Sequence, residues 1–251
     1  MKVFFASDVH IGVLGYKTAE ANELEERFIN WLDMVKIEGE TLYLLGDIFD
    51  FWFEYKHTIP KGCTSVLAKL RELVKSGVDI HYFCGNHDEW IQDYFTTYIG
   101  VIIHNKEPET IELQGKRFVM GHGHKLGLDK RFFARFMHVA FSNRPLYMFC
   151  EKMFLSDFFM SWGQNWSRSN MIKKRTQESM TFNPENNKLL TYLENFNQEK
   201  VDYFVFGHFH TPTIYPINNS NSSKLFILGE WLRNPQYAVL ENGELDLLKL
   251  Q

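Results

Sequence analysis

Five short islands of ligand-type residues constrain this chain more than anything else in it. The first is Asp8-Val9-His10, placed just after the apolar run Val3-Phe4-Phe5-Ala6. Residues i and i+2 of a strand point to the same side, so Asp8 and His10 can reach one metal ion together. Taken alone, an Asp-x-His triplet is usually ordinary surface chemistry. Here it is echoed by Gly46-Asp47-Ile48-Phe49-Asp50, Gly85-Asn86-His87-Asp88, Gly121-His122-Gly123-His124 and Gly207-His208-Phe209-His210.

The islands recur at the ends of apolar runs. Lys2 to Ala6 reads as a buried strand, Thr41 to Leu45 as a second and Val78 to Cys84 as a third. Between them, Leu24, Phe28, Trp31, Leu32 and Val35 recur at helical spacing within Glu20 to Val35. Cys63, Val66, Leu67, Leu70, Leu73 and Val74 mark another helix that stops near Gly77. Strand–helix alternation of this kind predicts a mostly parallel sheet with helices on its faces. Ligands of such sheets gather beyond the carboxyl ends of the strands, where the first three islands fall. A short helix is expected near Glu89 to Tyr98 and a strand at Val101 to Ile103. A hairpin is expected around Gln114-Gly115, its second arm running into the fourth island. Lys188 to Phe196 reads as a helix, and Tyr203 to Phe206 as the strand before the fifth island. The tail is β-rich, with a hairpin turn at Asn242-Gly243 and an exposed loop at Asn218 to Ser223.

Seven candidate ligands result: Asp8, His10, Asp47, Asn86, His122, His208 and His210. Seven nitrogen and oxygen ligands exceed one tetrahedral site and suit two divalent ions sharing a carboxylate. Such pairs, about 3.5–4 Å apart, serve in-line displacement at phosphorus. Imidazole, carboxylate and amide oxygen without cysteine favour Mn²⁺, Fe²⁺ or Zn²⁺. His87, adjacent to a ligand, is the candidate proton donor to a leaving group. Asp50 and Asp88 read as orienters of the ligands or of backbone. His124 reads as a contact to a substrate phosphate or as a surface residue, and His57, His81, His104 and His138 as structural.

The three cysteines, Cys63, Cys84 and Cys150, follow no zinc or redox spacing and read as free thiols of a reducing compartment. No run reaches the ~18 apolar residues of a spanning helix, and the N-terminal run reads as a core strand rather than a signal peptide. The expectation is a cytoplasmic protein. A formal charge of −4 argues against a nucleic-acid binder. The segment of about residues 127–182 breaks the alternation. It is rich in Phe, Met and Trp between Phe132 and Trp166, and locally basic through residues such as Arg135, Arg144, Arg168, Lys173 and Lys174. One reading is an ordinary helical subdomain. The other is a lid with an apolar cleft and a basic rim, suited to an amphiphile with an anionic head group or to an anionic membrane surface.

In order and spacing, the five islands resemble the calcineurin-like metallophosphoesterases. The resemblance implies one α/β domain over residues 1–251, a four-layer α/β-β/α sandwich carrying the helical, aromatic-rich insertion. It implies that Asp8, His10 and His210 hold one ion, that Asn86, His122 and His208 hold the other, and that Asp47 bridges them. It also implies attack on phosphorus by a hydroxide bound between the ions, with Asn86 and His87 at the reacting phosphate.

A narrower resemblance rests on Phe49-Asp50-Phe51-Trp52, the long insertion, and Leu228-Gly229-Glu230-Trp231. Together they look like the UDP-2,3-diacylglucosamine hydrolases of lipid A synthesis. This implies hydrolysis of a lipid-linked UDP-sugar to UMP and 2,3-diacylglucosamine 1-phosphate, two ions that are most simply Mn²⁺, and peripheral contact with the inner membrane. Asn86, His87, His124, Arg168 and Ser169 would be the substrate contacts. The best-known members carry Arg at the position of His87 and Asp at that of His124; the alternative reading is a phosphoesterase for a soluble nucleotide or phosphoester. Oligomeric state is not legible in the sequence.

Overall fold

The computed structural model describes residues 2–12, 18–55, 58–126, 182–185, 187–196, 200–217 and 222–250. The insertion, with Arg168 and Ser169, lies outside the described residues except for its last position, Phe182.

Two sheets form the frame. The first has six strands in the order β11-β10-β1-β2-β3-β4. Here β1 is Lys2–Ala6, β2 Gly39–Leu45, β3 Asp79–Phe83, β4 Ile102–His104, β10 Gln236–Glu241 and β11 Glu244–Lys249. The run β1 to β4 is parallel, as the alternation predicts, and β10 joins β1 antiparallel. The second sheet has five strands in the order β5-β6-β7-β9-β8. These are β5 Glu109–Leu113, β6 Lys116–Gly121, β7 Tyr203–Phe206, β8 Thr213–Pro216 and β9 Lys224–Ile227. Strands β6, β7 and β9 are parallel, so the fourth and fifth islands leave the second sheet at the same end.

Alternation along the strands builds the layers. Val3 and Phe5, Tyr43 and Leu45, and Phe83 turn inward against Phe118, Met120, Val205 and Phe226 of the other sheet. The intervening residues Phe4, Ala6, Leu42, Leu44, Ile80 and Tyr82 face helices α1 (Ala19–Glu38) and α2 (Thr64–Lys75). On the far side, Val119, Phe204, Phe206, Leu225 and Ile227 face α3 (Lys188–Glu194) through Leu189, Leu190 and Leu193. Helices, sheet, sheet and helix are the four layers expected.

Local chemistry fixes the helix ends. The Thr18 side chain accepts from Ala21 N–H to start α1, and Asn187 accepts from Leu189 and Leu190 N–H to start α3. Both hairpin turns form as the sequence requires. Gln114 and Gly115 have φ of 49° and 74°, Asn242 and Gly243 of 54° and 81°, the left-handed pair of a type I′ turn.

Two expectations are corrected. The helix near Glu89 to Tyr98 is reduced to a π-helical turn at Phe95–Ile99. Its approach is held by the buried Glu54 carboxylate, which accepts from the backbone N–H groups of Gln92, Asp93 and Tyr94 at 2.8–3.0 Å. Those N–H groups of consecutive residues converge on a side chain from another loop. Of the loop expected to be exposed at Asn218 to Ser223, residues 218–221 lie outside the described residues and Ser222 is exposed, but Ser223 is fully buried and donates to Val201 O at 2.6 Å. His81 and His104 lie between the sheets, 2.9 Å apart, with His104 Nδ1 2.6 Å from Glu109 Oε2.

Candidate metal centre

The five islands converge at the carboxyl ends of β1, β2, β3, β6 and β7. Three groups of ligand atoms lie within reach of single ions: Asp8, His10 and His210; Asp8, Asp47 and His122; and His10, Asp47 and His87. His210 Nε2 is 3.3 Å from Asp8 Oδ1, and His122 Nε2 is 3.3 Å from Asp47 Oδ2. His10 Nε2 is 3.9 Å from Asp8 Oδ1 and 4.0 Å from Asp47 Oδ2, so it faces both carboxylates. The His208 ring stands across that of His122 with centroids 5.1 Å apart. Asn86 precedes His87, and its Oδ1 is buried.

The route to this convergence differs from the strand pleat argued from sequence. Strand β1 ends at Ala6, and Asp8 and His10 both adopt φ of 55°. Asp47, His208 and His210 are also left-handed, with φ of 53°, 65° and 57°. Such backbone is uncommon for residues with a Cβ, and strain of this kind gathers at functional sites. Glycines make the room. A Cβ on Gly85 would lie 2.1 Å from Asp47 Oδ1, and one on Gly207 would lie 1.9 Å from Ser7 Oγ.

Supporting bonds hold the candidate ligands. Ser7 Oγ donates to Asp8 Oδ2 at 2.5 Å, and its residue carries no signal that sequence reading could have used. His122 Nδ1 donates to Leu45 O at 2.8 Å, which directs Nε2 at Asp47. His87 Nδ1 donates to Asp50 O at 2.6 Å, and His87 N–H donates to Asp47 Oδ1 at 2.9 Å. Asp50 Oδ1 faces Nδ1 of both His10 and His87 at 3.6 Å. Asp88 accepts from Tyr82 OH, Gly85 N–H and Ile48 N–H, and so ties the third island to the second.

His124 is not a surface residue. Its side chain is 4% exposed and its Nδ1 lies 3.5 Å from the equally buried Glu107 Oε2. Sequence reading missed Glu107, which sits in the β4–β5 connection outside every island.

Electrostatics fit a cation. Burial works against charge on Asp47, yet His122, His87 and His10 hold its carboxyl well below the usual range. Burial opposes protonation of His122, but Asp47, with help from Asp8 and Glu107, raises its imidazole to about 10. Burial pushes the His124 imidazole down, with His122 and Lys125 adding to it. His10 Nε2, Asn86 Oδ1 and His122 Nε2 are buried and make no hydrogen bond. Polar atoms in this condition call for a partner. A divalent ion beside these carboxylates would satisfy the two imidazole nitrogens, which face Asp8 and Asp47 at 3.3–4.0 Å, so the donor set fits a metal.

Imidazole, carboxylate and amide donors gathered where two sheets end define a metal-dependent phosphoester hydrolase. The model of the calcineurin-like phosphoesterases matches residues 1–212, and the chain belongs to that family. It is 31% identical to a UDP-2,3-diacylglucosamine hydrolase of Porphyromonas gingivalis, over 100% of this chain and 98% of the relative. It is 25% identical to proteins of the same name from Hahella chejuensis, over 100% and 98%, and from Vibrio atlanticus, over 97% and 98%.

Proposed function

We propose that this enzyme hydrolyses the pyrophosphate of UDP-2,3-diacylglucosamine to UMP and 2,3-diacylglucosamine 1-phosphate. The observation that supports this most is the 31% identity to a hydrolase of that name, which runs the full length of the chain and so spans the insertion as well as the islands.

In this reading Asp8, His10 and His210 hold one divalent ion, and Asn86, His122 and His208 hold the other. Asp47, whose two oxygens face different partners, bridges them. Two ions there supply charge neutralisation and an activated water to phosphoester hydrolysis, with Mn²⁺ the proposed metal. Asn86 and His87 stand at the reacting phosphate. The His87 Nδ1–H bond to Asp50 O turns Nε2 toward Asp47, where it can give a proton to the leaving oxygen or steady charge on it. His124 is a further contact for a phosphate oxygen, and Arg168 and Ser169 are contacts to the head group.

The insertion is proposed as the acyl-binding lid of a single domain. Its flanks support this. Leu126 and Phe182 pack on the same core as Phe209, which lies between His208 and His210. The insertion therefore leaves the fold just after His124, and its last residue rejoins it on the core that Phe209 also touches. Among the described residues no helix is long and apolar enough to cross a membrane. Contact with the lipid is proposed to be peripheral, at the cytoplasmic face of the inner membrane.

The test is product release from UDP-2,3-diacylglucosamine with Mn²⁺, beside non-acylated UDP-GlcNAc. UMP from the lipid alone supports the reading. Turnover of simple phosphodiesters with no release from the lipid replaces it with a soluble substrate.

A further inference from the structure

His87 is held twice by one neighbouring segment, residues 50–54. Its ring Nδ1 donates to Asp50 O at 2.6 Å, and its own carbonyl oxygen accepts from Trp52 N–H at 3.0 Å. Beyond that point the two stretches of chain run side by side. Phe53 and Trp90 form a parallel bridge, and Glu54 N–H donates to Trp90 O at 3.4 Å. These residues belong to no strand of either sheet, so no sheet ladder fixes their register.

The Glu54 carboxylate fastens the far end. Glu54 is 3% exposed. Its Oε2 accepts from Gln92 N–H at 2.8 Å, and its Oε1 accepts from Asp93 and Tyr94 N–H at 3.0 and 2.9 Å. Oε2 also faces the indole N–H of Trp52 at 3.5 Å, and Trp52 is the residue whose backbone holds the His87 carbonyl. One side chain thus joins both stretches just beyond the third island.

We propose that Glu54 is a positioning residue for the reaction: by fastening segment 50–54 to the chain that follows His87, it sets where the His87 imidazole stands. The inference rests on the reading of this site as a phosphoesterase centre and deepens it. The competing account is packing alone, since the buried Trp52 ring lies 5.0 Å from both Phe49 and Phe95. Glu54 would then only cap the turn that follows.

The chemistry asks for a carboxylate in particular. Three backbone N–H donors meet two oxygens, so both oxygens must accept. Glutamine has the same shape but a single acceptor oxygen, and its amide NH₂ would face a backbone N–H. Glu54→Gln therefore releases either Gln92 or the pair Asp93 and Tyr94, with little change in packed volume.

The experiment has two readouts. The first is amide hydrogen exchange of the Zn²⁺-loaded protein, followed by NMR. In Glu54→Gln the amides of residues 92–94 lose protection under either account. The Trp52 amide, which donates to His87 O, is expected to exchange at least about tenfold faster as well, the loss of one hydrogen bond's worth of protection. The Ile11 amide, bonded to Ile48 O, is the control and should not change. The second readout is a double-mutant cycle of Glu54→Gln and His87→Ala on turnover of bis-p-nitrophenyl phosphate with Mn²⁺, with metal content measured alongside. Glu54→Gln is expected to lower kcat by about tenfold, inside the ~100-fold that an ångström of misplacement costs, and by less than about twofold where His87 is already Ala. KM and metal content are expected to hold.

Unchanged protection of the Trp52 amide overturns the proposal and leaves Glu54 as a cap. So do losses that multiply independently of His87. Loss of metal from Glu54→Gln overturns it too, since its action would then fall on Asn86 or Asp47. If Glu54→Gln does not fold, Glu54→Asp carries both readouts with the same outcomes, because its shorter arm withdraws the two oxygens from the donors. Absence of turnover in the unmodified enzyme would count against the phosphoesterase reading, while the Trp52 amide still decides whether Glu54 holds the segment at His87.

Discussion

The backbone N–H of His208 donates to Asp8 Oδ2 at 2.9 Å across 200 residues of sequence. The bond ties the end of β7 to the end of β1, and so ties one sheet to the other at the point where the islands meet. Asp8 Oδ2 also accepts from Ser7, which leaves Oδ1 facing His210 and His10. One carboxylate thus locks the sheets together and keeps its other oxygen facing two imidazoles.

Because Gly207 stands where the sheets touch, it tolerates no side chain. A Cβ there would meet Ser7 Oγ and would lie 2.6 Å from Asp8 Oδ2. Gly207→Ala is expected to destabilise the fold by about 1–3 kcal/mol, the range for overpacking a tight interior. Urea unfolding should show the shift in midpoint, and metal content should fall although no ligand has been changed.

Asp47 is the carboxylate that His10, His87 and His122 all face. Asp47→Ala is expected to reduce turnover of bis-p-nitrophenyl phosphate by at least about 100-fold, the upper end of what outer partners of a metal cost. Full activity at native metal content would remove Asp47 from the bridge.

Metal loading should be coupled to protons. His122, raised to about 10 by Asp47 against the effect of burial, holds a proton that a metal ion must displace. Affinity is therefore expected to rise with pH between 6 and 8. Calorimetry in buffers of different ionisation enthalpy should detect proton release on binding. Affinity that is flat over that range would contradict it.

Trp231 carries the C-terminal loop to the site. Its backbone N–H donates to Asp8 O at 3.1 Å, and its buried ring packs 5.1 Å from Phe28 and 5.2 Å from Trp31. Trp231→Ala is expected to cost about 3–5 kcal/mol in stability, read by denaturant unfolding. Trp231→Phe should recover a large part of it.

Helices α1 and α2 are joined by ion pairs at the surface. Glu72 is hydrogen-bonded to Lys36 and Lys69, which depress its carboxyl to about 2, while Lys69 also bonds Asp33. A carboxylate whose folded pKa lies below its unfolded one stabilises the protein above the unfolded value. That stability is lost as pH falls from about 4.5 towards 2. Glu72→Gln should be less stable than the native protein at pH 5, with the gap narrowing below about 4.5 and closing only towards pH 2. Because the group is exposed, added salt should shrink the gap as well.

The strands and principal helices were legible because their signals are local. Alternating or periodic apolar residues mark β1, β2, α1 and α2, and two glycine-containing pairs mark the hairpins. The helix expected at Glu89 to Tyr98 is confined to Phe95–Ile99, and the N–H groups of Gln92, Asp93 and Tyr94 just before that turn are accepted by Glu54 from another loop, as a cap accepts them. Periodicity carries no trace of such a bond.

The sequence by itself determined which residue types gather at the centre, since Asp, Asn and His beside glycine at strand ends are readable one island at a time. Only the tertiary structure decided how they meet. Asp8, His10, Asp47, His208 and His210 reach one another through left-handed backbone rather than through the pleat of a strand. Glu107, which bears on the fourth island, has no motif at all. Its place there comes from the packing of one connection against another, and contacts between residues far apart in the chain leave no spacing for a sequence to show.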